Sequence, residues 1–148
     1  MSLSAADHAQ LGRILYDAMR ANTPIQPLTK THPTITVEDA YQISRAMLSH
    51  RLERDREVVV GKKIGVTSDA VQSMLGVFQP DFGFLTNTMT FANKSDIRIA
   101  GNMISPRAEG EIAFRLKSTL CGTANTEDDV LAATECIIPC FEIVDSRV

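Results

Sequence analysis

The alternation of side chains over residues 108–116 most constrains what this chain can fold into. Successive side chains of a β-strand point to opposite faces of a sheet. A strand over these residues therefore places two acids, Glu109 and Glu111, on one face. The other face carries large apolar side chains, namely Ile112, Phe114 and Leu116. The pattern predicts a strand with one apolar face and one face on which two carboxylates lie side by side.

The paired carboxylates need a counter-charge or water, because each raises the proton affinity of the other. Open water, a cationic partner or a metal ion keeps such a pair ionised. A third acid, Glu142, stands among the apolar residues 137–144, where an acid is unexpected unless the strand borders a polar cavity. Three carboxylates without a histidine favour magnesium or manganese over zinc. The alternative is an edge strand that shows Glu109 and Glu111 to solvent, with Glu142 in an exposed salt bridge.

Residues 58–67 predict another strand, in which glycines stand on both sides of the adjacent lysines Lys62 and Lys63. Neighbouring side chains on a strand occupy opposite faces, so one of these lysines is expected to face inward. The alternative is that this lysine extends its ammonium group to the surface. The residues lack the Gly-x-x-x-x-Gly-Lys-Ser/Thr order of a phosphate-binding loop, which excludes nucleotide binding of that kind.

Cap residues and the helical spacing of apolar side chains predict four helices. They begin at the cap residues Ser4, Thr36, Ser68 and Thr126. The first two have an apolar inner face, which comprises Leu11, Ile14, Leu15, Ala18, Met19, Ala40, Ile43, Met47 and Leu48. The charged residues 51–57 are expected to be the solvated end of the second helix.

The helices are followed by strands rather than alternating with them, which predicts an α+β fold with N-terminal helices and a mixed β-sheet. Turn chemistry is predicted over residues 79–83. Residues 1–57 would form the helical region, and residues 58–148 would form the β-rich core. Further short strands are predicted at residues 88–91, 97–99 and 137–144.

Composition narrows the possible functions. The 148 residues are 44% hydrophobic, which is enough to bury a core. The formal charge of −3 and the lack of a basic cluster exclude nucleic acid as an expected partner. No apolar run is long enough to span a bilayer and the N-terminus lacks a secretory signal, so we expect a soluble cytoplasmic protein without a membrane partner. The cysteines Cys121, Cys136 and Cys140 lack the paired spacing of a zinc site and are expected to be reduced thiols.

Four segments of the chain together resemble one enzyme family. They are GKKIGVTS at residues 61–68, LGVFQPDFG at 75–83, PRAEGEIAF at 106–114 and PCFEIVDSR at 139–147. In this order they are similar to the 2-keto-4-pentenoate hydratases, in the hydratase and decarboxylase branch of the fumarylacetoacetate hydrolase superfamily. Four motifs in register are far more specific than any one alone.

The resemblance implies a role for particular residues. Glu109, Glu111 and Glu142 take the family's metal positions, with magnesium or manganese as the ion. Lys63 takes the position of the active-site lysine, so that Lys63 and not Lys62 faces the metal cavity. Asp81 would position the chain or activate water, although a turn aspartate is common for structural reasons alone. The resemblance also implies a barrel-like core, a homo-oligomer and a 2-oxo acid substrate that chelates the metal through its carboxylate and its 2-oxygen.

The activity implied is hydration of 2-hydroxypenta-2,4-dienoate to 4-hydroxy-2-oxopentanoate in the meta-cleavage of aromatic compounds. The nearest alternative is 4-oxalocrotonate decarboxylase, whose reaction needs the same stabilised enolate; Asp81 favours the hydratase. A paralogous decarboxylase or hydratase subunit is a further possible partner.

The family pattern continues past the position of Val148, so we expect the chain to be truncated at its C-terminus. An inert fragment or an interaction subunit is therefore the alternative from a different functional class. On this interpretation the chain alone turns over weakly or not at all.

Overall fold

The computed structural model describes residues 3–148 and begins with helices, as the sequence predicts. Ser4 and Thr36 are the N-caps of the two long helices, and each completes a capping box with the aspartate three residues later. Asn22 ends the first helix in the left-handed conformation, at φ 50°. The helices of this part are α1 (Ala5–Ala21), α2 (Leu28–Thr31) and α3 (Val37–Arg54).

The helices α1 and α3 pack closely because Gly12 has no side chain. A Cβ atom there would lie 2.5 Å from the Cβ of Ala46 on α3. Two residues that we predicted on the inner face, Ile14 and Ala40, are exposed instead. The close approach at Gly12 sets the packed face, and Tyr16 is buried in it. The apolar core of this part comprises Leu11, Tyr16, Ala18, Ile43 and Met47.

A buried ion-pair network joins the two helices to the strands that follow. Glu57 is only 5% exposed, so the expectation that residues 51–57 are a solvated helix end was wrong at Glu57, although Glu53, Arg54 and Arg56 are exposed. Its carboxylate accepts hydrogen bonds from Nε of Arg51 at 2.7 Å and from Nη2 of Arg20 at 2.9 Å. Arg51 also donates to Oγ1 of Thr86, which is fully buried. Burial alone raises the carboxyl pKa of Glu57, but hydrogen bonds from Arg51 and Thr86 outweigh it and hold the pKa at about 2.

The first sheet is an antiparallel pair of strands, β1 (Val59–Gly65) and β2 (Asp81–Thr86). The connection contains α4 (Asp69–Leu75), which is capped by Ser68 and ended by Gly76 as predicted. The strand predicted at residues 88–91 was wrong, because a 3₁₀ helix occupies Asn87–Met89. The strand β2 itself begins within the residues that we predicted as a turn.

The second sheet pairs β3 (Arg107–Leu116) with β4 (Thr134–Val144), also antiparallel, and α5 (Glu127–Ala133) lies between them in sequence. Beyond the end of β4, the carboxylate of Asp145 accepts hydrogen bonds from the backbone N–H groups of Ile104 and Ser105, at 3.1 Å and 2.7 Å. This contact holds together the two chain segments at the open end of the hairpin.

The structure confirms the α+β class but not the mixed sheet, since the described residues form two separate two-stranded antiparallel sheets. Residues 97–99 form no strand, because they have no neighbouring strand to pair with. Strands begin after residue 57, as the predicted boundary between residues 57 and 58 requires, but the chain divides into two compact units after residue 102. One unit spans residues 3–102 with Arg147 and Val148, and the other spans 103–146. Among residues 3–148, no helix has the length and apolar character needed to cross a bilayer.

The buried Glu57 provides a test of the packing. Glu57→Gln should destabilise the chain by about 3 kcal/mol at neutral pH, because Arg51 and Arg20 lose their anionic partner. The folded pKa of about 2 lies below the ordinary 4.5, so the stabilisation is complete above pH 4.5 and is lost as the pH falls towards 2. Urea unfolding at neutral pH and within that acidic range measures the difference. Glu53→Gln is the control, because Glu53 is exposed. An equal loss of stability in both variants would contradict a stabilising role for the buried carboxylate of Glu57.

Candidate functional site

The three predicted metal ligands come together on the second sheet. We call Glu109, Glu111 and Glu142 the glutamate cluster. Glu109 on β3 lies directly opposite Glu142 on β4, and Glu111 is two residues further along the same face. One carboxylate oxygen from each of the three lies within 4.8 Å of the others. The alternation seen in the sequence and the antiparallel register together produce this arrangement.

The register that builds the cluster is fixed by the two strand ends. Arg107 pairs with Val144, one residue before Asp145, whose carboxylate holds the segment that leads into β3. The other face of the hairpin is apolar and exposed, with Ile112 opposite Pro139 and Phe114 opposite Ile137. The two faces therefore differ as the sequence predicts, one acidic and one apolar.

The glutamate cluster concentrates negative charge. Like charges directly opposite each other across two strands are destabilising, and Glu109 and Glu142 are such a pair. Arg107 and Arg115 are the cations of β3 on the same face, and Nε of Arg115 pairs with Glu135 at 3.0 Å. Three convergent carboxylates form an oxygen-only donor set, which suits a hard divalent cation. That the cluster holds a metal, rather than facing water, stays a prediction.

The two predicted catalytic residues also lie near each other, on the first sheet. Gly65 is directly opposite Asp81 and Lys63 is opposite Gly83, so these four residues share one face, which we call the glycine-lined face. A Cβ atom placed on Gly65 would lie 2.6 Å from Oδ1 of Asp81 and 3.3 Å from Nζ of Lys63. The carboxylate of Asp81 and the ammonium group of Lys63 thus both lie close to the bare backbone of Gly65.

The neighbouring lysine lies on the other face of the same sheet. Nζ of Lys62 is 5.9 Å from the ring centroid of Phe84, its cross-strand partner. On this face Phe82 stacks on Tyr41 of α3, with ring centroids 4.7 Å apart. Lys62 is exposed and Lys63 is half-buried. The two lysines therefore separate as predicted, whereas the catalytic role of Lys63 stays a prediction.

Lys63 and Asp81 belong to the unit of residues 3–102, and the glutamate cluster belongs to the unit of residues 103–146. Sequence analysis missed Asp145, which helps to position the hairpin. The glycines on both sides of the lysine pair predict a close approach of other atoms to the backbone, and such an approach is found at Gly65.

Comparison with curated proteins finds close relatives. The chain is 57% identical over 139 residues to a 2-hydroxypent-2,4-dienoate hydratase from Pseudomonas putida, a match that covers 94% of this chain and 62% of that protein. It is 56% identical over 138 residues to a 2-hydroxyhexa-2,4-dienoate hydratase from Comamonas testosteroni, which covers 93% and 52% respectively. The chain thus spans between half and two thirds of the length of these relatives. No family model matches the chain.

Comparison with solved structures agrees with the sequence matches. A 4-oxalocrotonate decarboxylase from Pseudomonas putida G7, complexed with calcium and acetate, has a TM-score of 0.89 and 30% identity, covering 98% of this chain and 55% of the other. The same enzyme complexed with magnesium and adipate has a TM-score of 0.85 and 28% identity, covering 98% and 54%. Over nearly all of its own length, the chain is therefore similar in sequence to 2-hydroxydienoate hydratases and similar in fold to a 4-oxalocrotonate decarboxylase.

Proposed function

We propose that this chain serves a divalent-metal-dependent hydratase that converts 2-hydroxypenta-2,4-dienoate to 4-hydroxy-2-oxopentanoate in aromatic meta-cleavage catabolism. The observation that carries the proposal is the identity of 56–57% to hydratases of such dienoates. The barrel-like core, a homo-oligomer and a cytoplasmic location belong to the same proposal.

The glutamate cluster would hold the metal. Its three carboxylates converge within 4.8 Å and provide only oxygen ligands, which fits magnesium or manganese. The solved decarboxylases of similar fold were complexed with magnesium and with calcium, both hard cations. When bound, such a cation supplies charge stabilisation to the oxygens of a 2-oxo acid.

The chain's own polar groups would handle the protons. Hydration requires a proton at carbon 5 of the dienoate, loss of the proton from the 2-hydroxyl group, and then addition of water across carbons 3 and 4. The ammonium group of Lys63 would donate a hydrogen bond to the 2-oxygen or exchange a proton with it. The carboxylate of Asp81 would orient the attacking water or accept its proton. The proximity of both groups to Gly65 supports their assignment to one task.

Decarboxylation of 4-oxalocrotonate is the second candidate, and the structural similarity to a decarboxylase favours it. That reaction also passes through an enolate and would use the same metal ligands. The sequence identity of 28–30% to the decarboxylase is about half of the identity to the hydratases. We therefore place hydration first.

Metal binding by the glutamate cluster is testable without turnover. Glu109→Gln, Glu111→Gln and Glu142→Gln each keep the side-chain shape but remove a charged ligand, so each should weaken binding at least about tenfold. Isothermal calorimetry with Mg²⁺ and with Mn²⁺ measures the affinity. Glu135→Gln is the matched control, because Glu135 lies in the same hairpin but pairs with Arg115. Equal affinity in folded wild type and all the cluster variants would remove the proposed site.

The two adjacent lysines give a second test. Lys63→Met should lower kcat by about a hundredfold or more, because a proton-transfer group is lost. Lys62→Met should have little effect, since Lys62 lies over Phe84 on the opposite face. Steady-state hydration rates decide between them, and the reverse ranking would show that the other face of the sheet serves the reaction.

The reaction itself is followed by loss of the dienoate chromophore, with release of carbon dioxide from 4-oxalocrotonate measured in parallel. Both assays use this chain and a chain in which the C-terminal part of the Comamonas relative follows Val148. We expect the longer chain to catalyse metal-dependent hydration without decarboxylation. The shorter chain should turn over about a hundredfold more slowly, because misplacing the cavity groups by about 1 Å costs roughly that much. Efficient decarboxylation would instead favour the second candidate. Full hydration by the shorter chain would show that these residues suffice.

A further inference from the structure

We infer that Gly65 is a positioning residue. Because it has no side chain, the carboxylate of Asp81 and the ammonium group of Lys63 can lie in the space above β1 that a side chain at position 65 would fill. This inference rests on the proposed function, because it deepens the roles given there to Lys63 and Asp81. It concerns the glycine itself, which contributes no reacting atom.

The cross-strand register creates the need for a glycine. Asp81 is the direct partner of Gly65, so their Cβ positions would point to the same side of the sheet. The carboxylate of Asp81 leans over its partner, and Oδ1 is 2.6 Å from the position that a Cβ atom of residue 65 would take. Carbon and oxygen atoms that are not bonded do not approach so closely, so any side chain at this position must displace the carboxylate.

The two other glycines of β1 and β2 do not share this constraint. A Cβ atom on Gly83 would meet nothing within 4 Å, and one on Gly61 would make ordinary contact with Leu85 at 3.8 Å. Gly61, Gly65 and Gly83 are all absent from the positive-φ residues of the described chain, so the backbone conformation does not require glycine at any of them. Space for Asp81 and Lys63 is therefore the reason for glycine at position 65.

The substitution Gly65→Ala separates positioning from folding. The atoms that a Cβ would meet are the ends of two side chains, Asp81 and Lys63, which can move without disturbing the backbone. Asp81 is exposed, so its displaced carboxylate can turn into solvent. We expect the variant to fold with a nearly unchanged melting temperature and with the two polar groups moved apart.

The first measurement is chemical labelling of lysines in this chain, which needs no turnover. Acylation of each amine is followed by mass spectrometry in wild type, Gly65→Ala and the matched control Gly83→Ala. The labelling rate of Lys63 should change severalfold in Gly65→Ala alone, because its charged neighbour has moved. Lys62, on the opposite face, is the internal reference and should label equally in all three proteins.

The second measurement is steady-state hydration by the longer chain described above. Gly65→Ala should lower kcat by on the order of a hundredfold with little change in KM, since a displacement of about 1 Å costs roughly that much. In an Asp81→Ala background, Gly65→Ala should have no further effect on kcat, because the carboxylate that it displaces is gone.

The outcomes separate the inference from the proposed function. Identical Lys63 labelling in Gly65→Ala and Gly83→Ala would overturn the inference, whatever the protein does with the dienoate. If Gly65→Ala changes the labelling rate of Lys63 but the longer wild-type chain hydrates no dienoate, the positioning role is upheld and the proposed function is contradicted. If Gly65→Ala fails to fold, the double variant with Asp81→Ala decides: recovery of folding supports the steric relation, and continued unfolding contradicts it.

Discussion

The buried carboxylate of Glu57 is the interaction on which the N-terminal unit depends. Arg20 of α1 and Arg51 of α3 both donate to it, so it closes the two helices against each other. Glu57 precedes β1, and Arg51 also donates to Thr86 at the end of β2. One guanidinium group therefore anchors both strands of the first sheet where they meet the helices. A charge this deeply buried is tolerated only when it is fully paired. The contacts of Arg51 therefore fix the position of the first sheet, and with it the glycine-lined face, against the helices.

The parts of the fold that sequence predicts well are those decided by near neighbours. Ser4, Thr36, Ser68 and Thr126 cap helices as predicted, because a cap bonds a residue only three positions away. Burial of Glu57 escaped prediction because it depends on Arg20, which is 37 positions distant. The strands expected at residues 88–91 and 97–99 failed for a related reason, since β-branched residues form a strand only where a partner strand lies alongside.

The same distinction between near and distant contacts applies to the residues of the candidate site. Alternation alone places Glu109 and Glu111 on one face, and it separates Lys62 from Lys63. It does not tell which residue of β4 lies opposite Glu109, because register depends on contacts between distant segments. The bond from Asp145 to residues before β3 helps to set that register, and Glu142 is joined to the cluster as a result. Glu142 was singled out as an acid among apolar residues, whereas the resemblance to a family supplied the role of Asp81, for which periodicity gave no signal of its own.

Both sheets use cross-strand partners to bring polar groups together, but the charges of those groups differ. Above Gly65 the carboxylate of Asp81 and the ammonium group of Lys63, of opposite charge, lie 2.6 Å and 3.3 Å from the position that a Cβ atom would take. In the glutamate cluster three anions meet, and the repulsion between direct partners opposes strand pairing. A bound divalent cation would reverse the sign of that contribution, from a cost to the hairpin into a link between its strands.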